Sequence, residues 1–526
     1  MTKSHKLVVS IKNINSYICM HTEYFRKHPV ILFASLIFYG VATTFLFVYQ
    51  YVRLSMHQIE NFYHSIYVAR LEITRQAFRN LSGLEYLPII DHTAVHYYLA
   101  VFGRVFGISE AWQMHFWSQI AMACTLLIFY PALMYRLTKS FSVATMTPVL
   151  INVFVGAFFF RLISDGYWAY AWVVVFGTPF CAILIQEKWD VKKHWYLLLL
   201  AFLIMSIGNV FRAHASLPLA LLLSVILISK LDFNNCSGFR LLKRVRPFMK
   251  QNVTVFFAIF LLFISYNFLA GTLPRVFAPT LIGHPTLTQT VGPWHTLFLG
   301  LGWENNPFGI IYGDWFAYQR AREIYPDIVL LTKEYFEIMR TEFFRVLREE
   351  PLFFLGSYLR KFGVIILYSF AGLFINTGIT LIWGSLAELR VIYSHLTYLG
   401  LLNDPLAVIR IGLDILRDFL TGNTSVFDPV MLFLTSVCYL LLLLYIIANR
   451  RVVIRNVLGQ FRPMVLCCLF FVFAGTVPGM IATPRLDYIM GAIAAYGMLF
   501  FTIAVIAIKN IASRYGQSQS IHDPVQ

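Results

Sequence analysis

Long apolar runs alternate with short basic connections along most of this chain, and two long polar stretches interrupt the pattern. Runs near the length a helix needs to cross a bilayer, about 20 residues, fall at roughly 30–50, 112–135, 143–162, 167–185, 196–211, 216–230, 252–270, 362–384, 429–447, 463–482 and 488–508. The pattern predicts an all-α polytopic membrane protein of about 11–13 transmembrane helices. The count is a range because of residues 385–427, which carry Glu388, Arg390, Asp404, Arg410, Asp414, Arg417 and Asp418. Either that segment hides a further crossing, or 362–384, interrupted by Gly372, Asn376 and Gly378, is re-entrant.

The two interruptions are loops at 51–110 and 271–352. They divide the chain into an N-terminal segment 1–29, a first membrane module 30–270, the second loop, a second membrane module 353–510 and a tail 511–526. In the first loop Ile59, Tyr63, Ile66 and Tyr67 share a helical face, and HTAVHYYLAVFGRVFG repeats the pattern over too short a run to span. Both read as amphipathic helices lying in the interface, as anchors or as holders of polar groups. The second loop interleaves tryptophan and tyrosine with Gly, Asn, His and carboxylates. It then runs into KEYFEIMRTEFFRVLREEP, a charged amphipathic helix expected to present a solvated face. Neither loop has the apolar content to fold alone. The expectation is that they pack together, with Trp294, Trp303 and Trp315 close to the first loop.

Composition narrows the class. Of 526 residues 58% are hydrophobic and only 13% charged, against about 25% charged in a soluble domain; the mean hydropathy is +0.67. The net charge of +16 would suit nucleic acid, but the basic residues sit in short connections: Arg136 and Lys139; Lys188, Lys192 and Lys193; Lys243, Arg244 and Arg246. That is the positive-inside pattern. It puts both long loops on the opposite, periplasmic or lumenal side, and excludes a nucleic-acid partner. The basic linker with Arg450, Arg451, Arg455 and Arg462 departs from it, because eleven simple crossings would put it outside. Seven cysteines, none in either long loop, suggest no disulfide framework. No zinc-site spacing, Walker loop or Rossmann glycine pattern is present, no cofactor is expected, and metal dependence stays open.

The apolar runs are nearly free of charge, which speaks against a pump or coupled transporter. Candidate chemistry gathers on the loop side. Glu60, Asp91 and His92 lie in the first loop, where a carboxylate could take a proton from an acceptor hydroxyl or amine. Arg212 and His214 follow the run 196–211. Arg212 either grips a phosphate or snorkels at a helix end. Trp294 and His295, in GPWHTLF, offer an aromatic face and polar groups suited to a sugar.

This arrangement resembles the GT-C superfamily of integral membrane glycosyltransferases, which includes protein O-mannosyltransferases and lipid A aminoarabinose transferases. Glu60 and Tyr63 in IENFY match the glutamate and tyrosine of an Asp-Glu-x-x-Tyr-like motif, with Ile59 at the position of its aspartate. His92, Tyr97, Tyr98 and VFG at 105–107 match a His-Pro-Pro-like element followed by Tyr-Tyr and Leu-Phe-Gly, with Thr93 and Ala94 in place of the prolines. Asp165 in RLISDGYW sits where the family often has a second outer carboxylate. PRLDY at 484–488 is similar to an Arg-Tyr element near the family's end.

The resemblance implies a GT-C-like fold and an inverting transfer of a sugar from a polyprenyl-phosphate donor to a lipid, glycan or protein acceptor. It implies a multi-pass protein of the bacterial inner membrane acting on the periplasmic face, or of the endoplasmic reticulum in a eukaryote. Glu60 is then the first candidate base, Asp91 the second and Asp165 an accessory carboxylate. Tyr63, His92, Trp294 and His295 would contact substrate, and Arg212 or Arg485 would meet the phosphate. The alternatives are an O-antigen ligase or polymerase, which tends to lack the loop at 51–110, and a transporter or lipid flippase.

Overall fold

The computed structural model describes residues 128–155, 168–186, 195–229, 253–273, 293–379 and 429–520, apart from 213, 331 and 485, together with 31, 34, 38, 98 and 105–107. All regular structure among them is helical. Beyond a helical stretch at 128–138, the first half holds α1 (Phe141–Phe154), α2 (Trp168–Gln186), α3 (Trp195–Phe211), α4 (Leu217–Ile228) and α5 (Val253–Asn267). The polar middle holds α6 (Pro293–Gly300), α7 (Asp314–Ile324) and α8 (Lys333–Glu349). The remainder is α9 (Pro351–Ile379), α10 (Pro429–Ala448), α11 (Arg450–Leu458), α12 (Arg462–Ala474), α13 (Val477–Ile481) and α14 (Leu486–Ser520).

Among the described residues, four helical stretches are long and apolar enough to cross a membrane: Ala169–Gln186, Pro351–Phe370, Arg462–Ile481 and Tyr488–Ser513. The helices α3, α4 and α5 are as apolar but shorter. The sequence WAYAWVVVFGTPFCAILIQ is apolar all round, so α2 is enclosed on every side. The helix α9 instead turns Leu352, Leu355, Leu359 and Leu367 outward, as a lipid-facing helix would.

The centre of the bundle is α14, which packs on α1, α2, α9 and α12. Trp172, Phe176 and Phe180 of α2, Phe471 of α12 and Phe501 of α14 are fully buried there. Tyr130 stands edge-on to Phe176 and Phe501, at ring-centre distances of 5.4 and 6.1 Å. Its hydroxyl donates to the carbonyl of Val175 over 2.9 Å, so its polar tip is satisfied. Buried threonines return their hydroxyls to the carbonyl four residues back: Thr147 to Val143, Thr178 to Val174 and Thr502 to Met498, each at 2.7 Å. The crossing of α12 and α14 is set by glycine. A Cβ on Gly475 would lie 2.4 Å from the backbone nitrogen of Ala492, so no side chain fits between the two backbones.

Three features differ from the sequence expectation. The crossing expected at 362–384 begins at Pro351, because PLFFLGSYL is apolar enough to extend the helix ahead of Arg360 and Lys361, and proline suits the first helical turn. The basic linker at 450–458 is a helix, bent by 92° from α10. It runs across the direction of α10, so its arginines need not emerge as a loop on either side.

The third concerns the second loop, which has an apolar core of its own. Phe298, Leu299, Leu301, Ile310, Ala317, Ala321, Tyr335, Met339, Phe343 and Val346 form a cluster among α6, α7 and α8. The apolar residues of these short helices are few but fall on facing stripes, so together they bury what composition alone made look insufficient. This unit is called the cap below. The first loop, apart from 98 and 105–107, lies outside the described residues, as do the expected crossing at 30–50 (except 31, 34 and 38) and residues 380–428.

Polar contacts finish the cap. Asn306 shapes the turn after α6: its Oδ1 accepts from the amides of Phe308 and Ile310, and its Nδ2 donates to the Ile310 carbonyl. Thr332 caps α8 by accepting from the amide of Tyr335. Glu342, expected on a solvated face, has a side chain only 7% exposed and ties α7 to α8. It accepts from Arg320 Nε at 2.9 Å and from Arg345 at 3.1 and 3.2 Å. Burial works against its charge, but the hydrogen bonds from Arg345 and Arg320 outweigh that and hold the carboxyl below its ordinary value.

A carboxyl depressed on folding contributes stability above its unfolded pKa and loses it as pH falls through the folded value. The cap should therefore loosen on acidification below about pH 4. Glu342→Gln should weaken it by about 1–3 kcal/mol at neutral pH and remove much of that acid loss. Hydrogen exchange over 293–350 as a function of pH measures both. An unchanged acid profile in Glu342→Gln would show that another group carries the effect.

Candidate functional site

The turn between α3 and α4 carries Arg212. Its backbone is tightly wound: Arg212 N–H donates to the Gly208 carbonyl, Ala215 N–H to Arg212 and Leu217 N–H to His214, each over 3.0 Å. His214 takes a positive φ of 64°, a left-handed conformation costing about 1–3 kcal/mol for a residue with a side chain. The buried Asn209 side chain holds it there. Its Oδ1 accepts from the Ser216 amide at 3.0 Å and its Nδ2 donates to the Tyr266 carbonyl at 2.8 Å. His214 Nδ1 lies 2.9 Å from the Tyr266 hydroxyl, with the two rings stacked 6.1 Å apart.

Tyrosines from four elements run from this turn to the cap. The half-exposed Arg212 is hydrogen-bonded to Tyr170, at the start of α2. Tyr170 lies close to Tyr488, near the start of α14, and to Tyr266 of α5. The Tyr488 hydroxyl meets that of Tyr312 in the cap, 3.1 Å away. The helix α5 ends in a π-helical turn, Phe268–Thr272, where the Leu269 carbonyl accepts from Tyr98 at 2.8 Å. A π turn frees backbone groups from the regular ladder and is frequent at functional sites. Together these groups set a guanidinium and several phenol hydroxyls around one end of the bundle, beside the cap. They can donate hydrogen bonds to an anionic oxygen there.

A second cluster lies inside the cap. His295 of α6 is 2% exposed and sits between Tyr335 of α8 and Asp314 of α7. Its Nδ1 is hydrogen-bonded to the Tyr335 hydroxyl, and its Nε2 lies 3.0 Å from Asp314 Oδ1. Burial, then Tyr318 and Asp314 nearby, push the Tyr335 phenol well above its ordinary pKa. An ionised Asp314 can only accept, so the ring hydrogen that faces it sits on Nε2. Tyr335 is fully buried, and the cluster orders three cap helices. Trp294 packs against Phe343 and Phe344 at 6.0 and 5.6 Å, beneath the Arg340 guanidinium.

Cap and bundle are joined by Lys361, whose side chain is 1% exposed. Its three N–H donors meet three carbonyls: Gly300 at 2.9 Å, Met480 at 2.9 Å and Ala482 at 2.6 Å. The first ends α6 and the others end α13. Backbone contact at this junction is close, since a Cβ on Gly300 would lie 2.2 Å from the Ile481 carbonyl oxygen. Beside it Arg360 clasps Glu304 through two bonds, of 2.7 and 3.1 Å.

Of the residues singled out from the sequence, Arg212 lies in the tyrosine cluster, His295 is buried in the cap, and Trp294 packs half-buried on the cap's core. The Tyr312–Tyr488 bond links the two regions. Glu60, Tyr63, Asp91, His92, Asp165 and Arg485 lie outside the described residues. Among the described residues, no three His, Cys, Asp or Glu side chains converge to hold a metal ion. Tyr170, Tyr266 and Lys361 escaped the sequence reading. A lysine inside an apolar run is a signal for Lys361, lost when the run was started one residue beyond it. No family model, curated protein or solved structure matches the chain.

Proposed function

We propose that this protein is a membrane glycosyltransferase of GT-C type, crossing the membrane about 11–13 times, with the cap on the periplasmic or lumenal face. It would move a sugar from a polyprenyl-phosphate carrier to a lipid, glycan or protein acceptor. The observation that carries the reading is Arg212 in a braced, strained turn among tyrosines, at the bundle end beside the cap. A phosphate at the membrane surface suits such a group, and a lipid-linked donor brings its phosphate there.

In the proposed step the acceptor oxygen or nitrogen attacks the anomeric carbon from the face opposite the phosphate. The bond between that carbon and the phosphate oxygen breaks, and the configuration inverts. The acceptor's proton passes to a first-loop carboxylate, Glu60 before Asp91, with Asp165 as accessory. The lipid phosphate leaves with its charge held by Arg212, with Arg485 a second candidate.

The test is transfer by the purified chain in liposomes supplied with undecaprenyl-phosphate-linked radiolabelled hexose or pentose, measuring acceptor-dependent release of undecaprenyl phosphate. Glu60→Gln keeps shape and removes basicity, and should lower the rate by roughly 10²-fold with donor binding retained; Asp91→Asn is the matched control. Full activity in both variants would eliminate base catalysis from the first loop. Absence of release with every donor would sink the transferase reading itself.

A further inference from the structure

The cap carries a feature that the transfer step does not use. On α7 the residues Trp315, Tyr318, Gln319 and Arg322 recur at the spacing that puts them on one helical face. With Glu323, and with Leu330 from the following segment, they line an open cavity of about 560 Å³. That is within the size range of small-molecule sites.

Its lining alternates rings with hydrogen-bonding groups. Trp315 is 57% exposed. Its indole lies over Gly313, where a Cβ would come within 2.7 Å of Nε1, and it stands edge-on against Phe316 at 5.9 Å. The exposed ring is therefore held in place. Tyr318 is fixed from behind by His295 and Tyr335, at ring-centre distances of 5.5 and 5.9 Å. The buried Tyr335 and His295, with the exposed Asp314 at their edge, thus brace the pocket wall. Gln319 donates to Glu323 at 3.2 Å, and Arg320, shared with Glu342, pairs with Glu323 at 3.0 Å. The indole N–H of Trp315 and the guanidinium of Arg322 have no partner among the described residues.

We propose that this pocket is a saccharide-binding site, with Arg322 favouring a sugar that bears a carboxylate or another anionic group. A pyranose has apolar C–H faces that stack on indole and phenol rings, and hydroxyls that suit an amide, a carboxylate and an indole N–H. Glu323 is paired with Arg320, so the cation of the lining that has no carboxylate partner among the described residues is Arg322, whose guanidinium forks onto a carboxylate. A lipid surface would match the exposed indole but leave Gln319 and Glu323 without a function. In the transferase reading the pocket would hold an acceptor glycan; that role rests on the reading, whereas the binding does not.

Calorimetric titration of the full chain in nanodiscs with trigalacturonate and with maltotriose tests the proposal. Saturable binding is expected for both, tighter for the acidic trisaccharide. Trp315→Ala should weaken both by tenfold or more, and Arg322→Gln should bring trigalacturonate down to the level of maltotriose. Both side chains are exposed, so the melting temperature should hold. Arg212→Gln should bind both sugars normally, which separates this pocket from the transfer site: loss of transfer there with retained binding leaves this proposal standing. Failure of both trisaccharides to bind, or unchanged binding in Trp315→Ala, would overturn it. So would quenching of Trp315 by brominated lipid in the disc, which would place this face in the bilayer.

Discussion

On the proposed transferase reading, replacing Arg212 by glutamine should lower the rate of sugar transfer by about 10²–10³-fold, about 3–4 kcal/mol of transition-state stabilisation. The phosphate gains charge as it leaves, and Arg212 is the described cation among the tyrosines of the bundle end. Glutamine keeps a hydrogen-bonding group near Tyr170 but removes the charge. Arg212→Lys should fall between, because an ammonium supplies charge without the planar fork. Arg212 is half-exposed, so the melting temperature should move little in either variant. Wild-type turnover in Arg212→Gln would remove this residue from the mechanism. A collapse in stability would assign it to packing instead.

The second large effect concerns the buried amine. Lys361→Met should destabilise the junction of cap and bundle by about 2–4 kcal/mol, since it leaves the carbonyls of Gly300, Met480 and Ala482 without their donor. Methionine matches lysine in length, so the loss is of hydrogen bonding rather than volume. The junction should then open locally. Faster proteolysis within 300–332 and a melting temperature lowered by several degrees would show it. Arg360→Gln is the control: it breaks the neighbouring pair with Glu304 but at an exposed position, where an ion pair contributes about 0–1 kcal/mol. Equal effects from the two substitutions would mean that the carbonyls around Lys361 find other partners.

Much of the helical layout could be read from one-dimensional pattern. An apolar run such as 168–186 must be a buried or spanning helix, because nothing else satisfies its backbone without water. Boundaries were read less well where charge intrudes. The expected run starts at 362, just past Arg360 and Lys361, yet Lys361 lies inside the helix and finds its acceptors at 300, 480 and 482, which no local window contains. The cap was misjudged because its core is assembled from short stripes on three separate helices, none of which is apolar enough by itself. Arg212 was legible as a cation at the end of an apolar run. Its surroundings were not, since Tyr170, Tyr266 and Tyr488 sit inside or beside apolar segments where tyrosine is ordinary. Glu342 looked like one more charge on a solvated face; only Arg320, from a different helix, reveals its burial.

The ring of carbonyls around Lys361 also fixes an order of events during synthesis. Gly300 is already made when Lys361 leaves the ribosome, but Met480 and Ala482 follow 119 and 121 residues later. At typical elongation rates that is a delay of about 6–24 seconds, long compared with helix formation. The cap, whose core comes wholly from 298–346, can fold in that interval, while the amine holds only one of its three acceptors. The junction closes when α13 arrives, so a late step in the packing of the bundle is also the one that seats the cap.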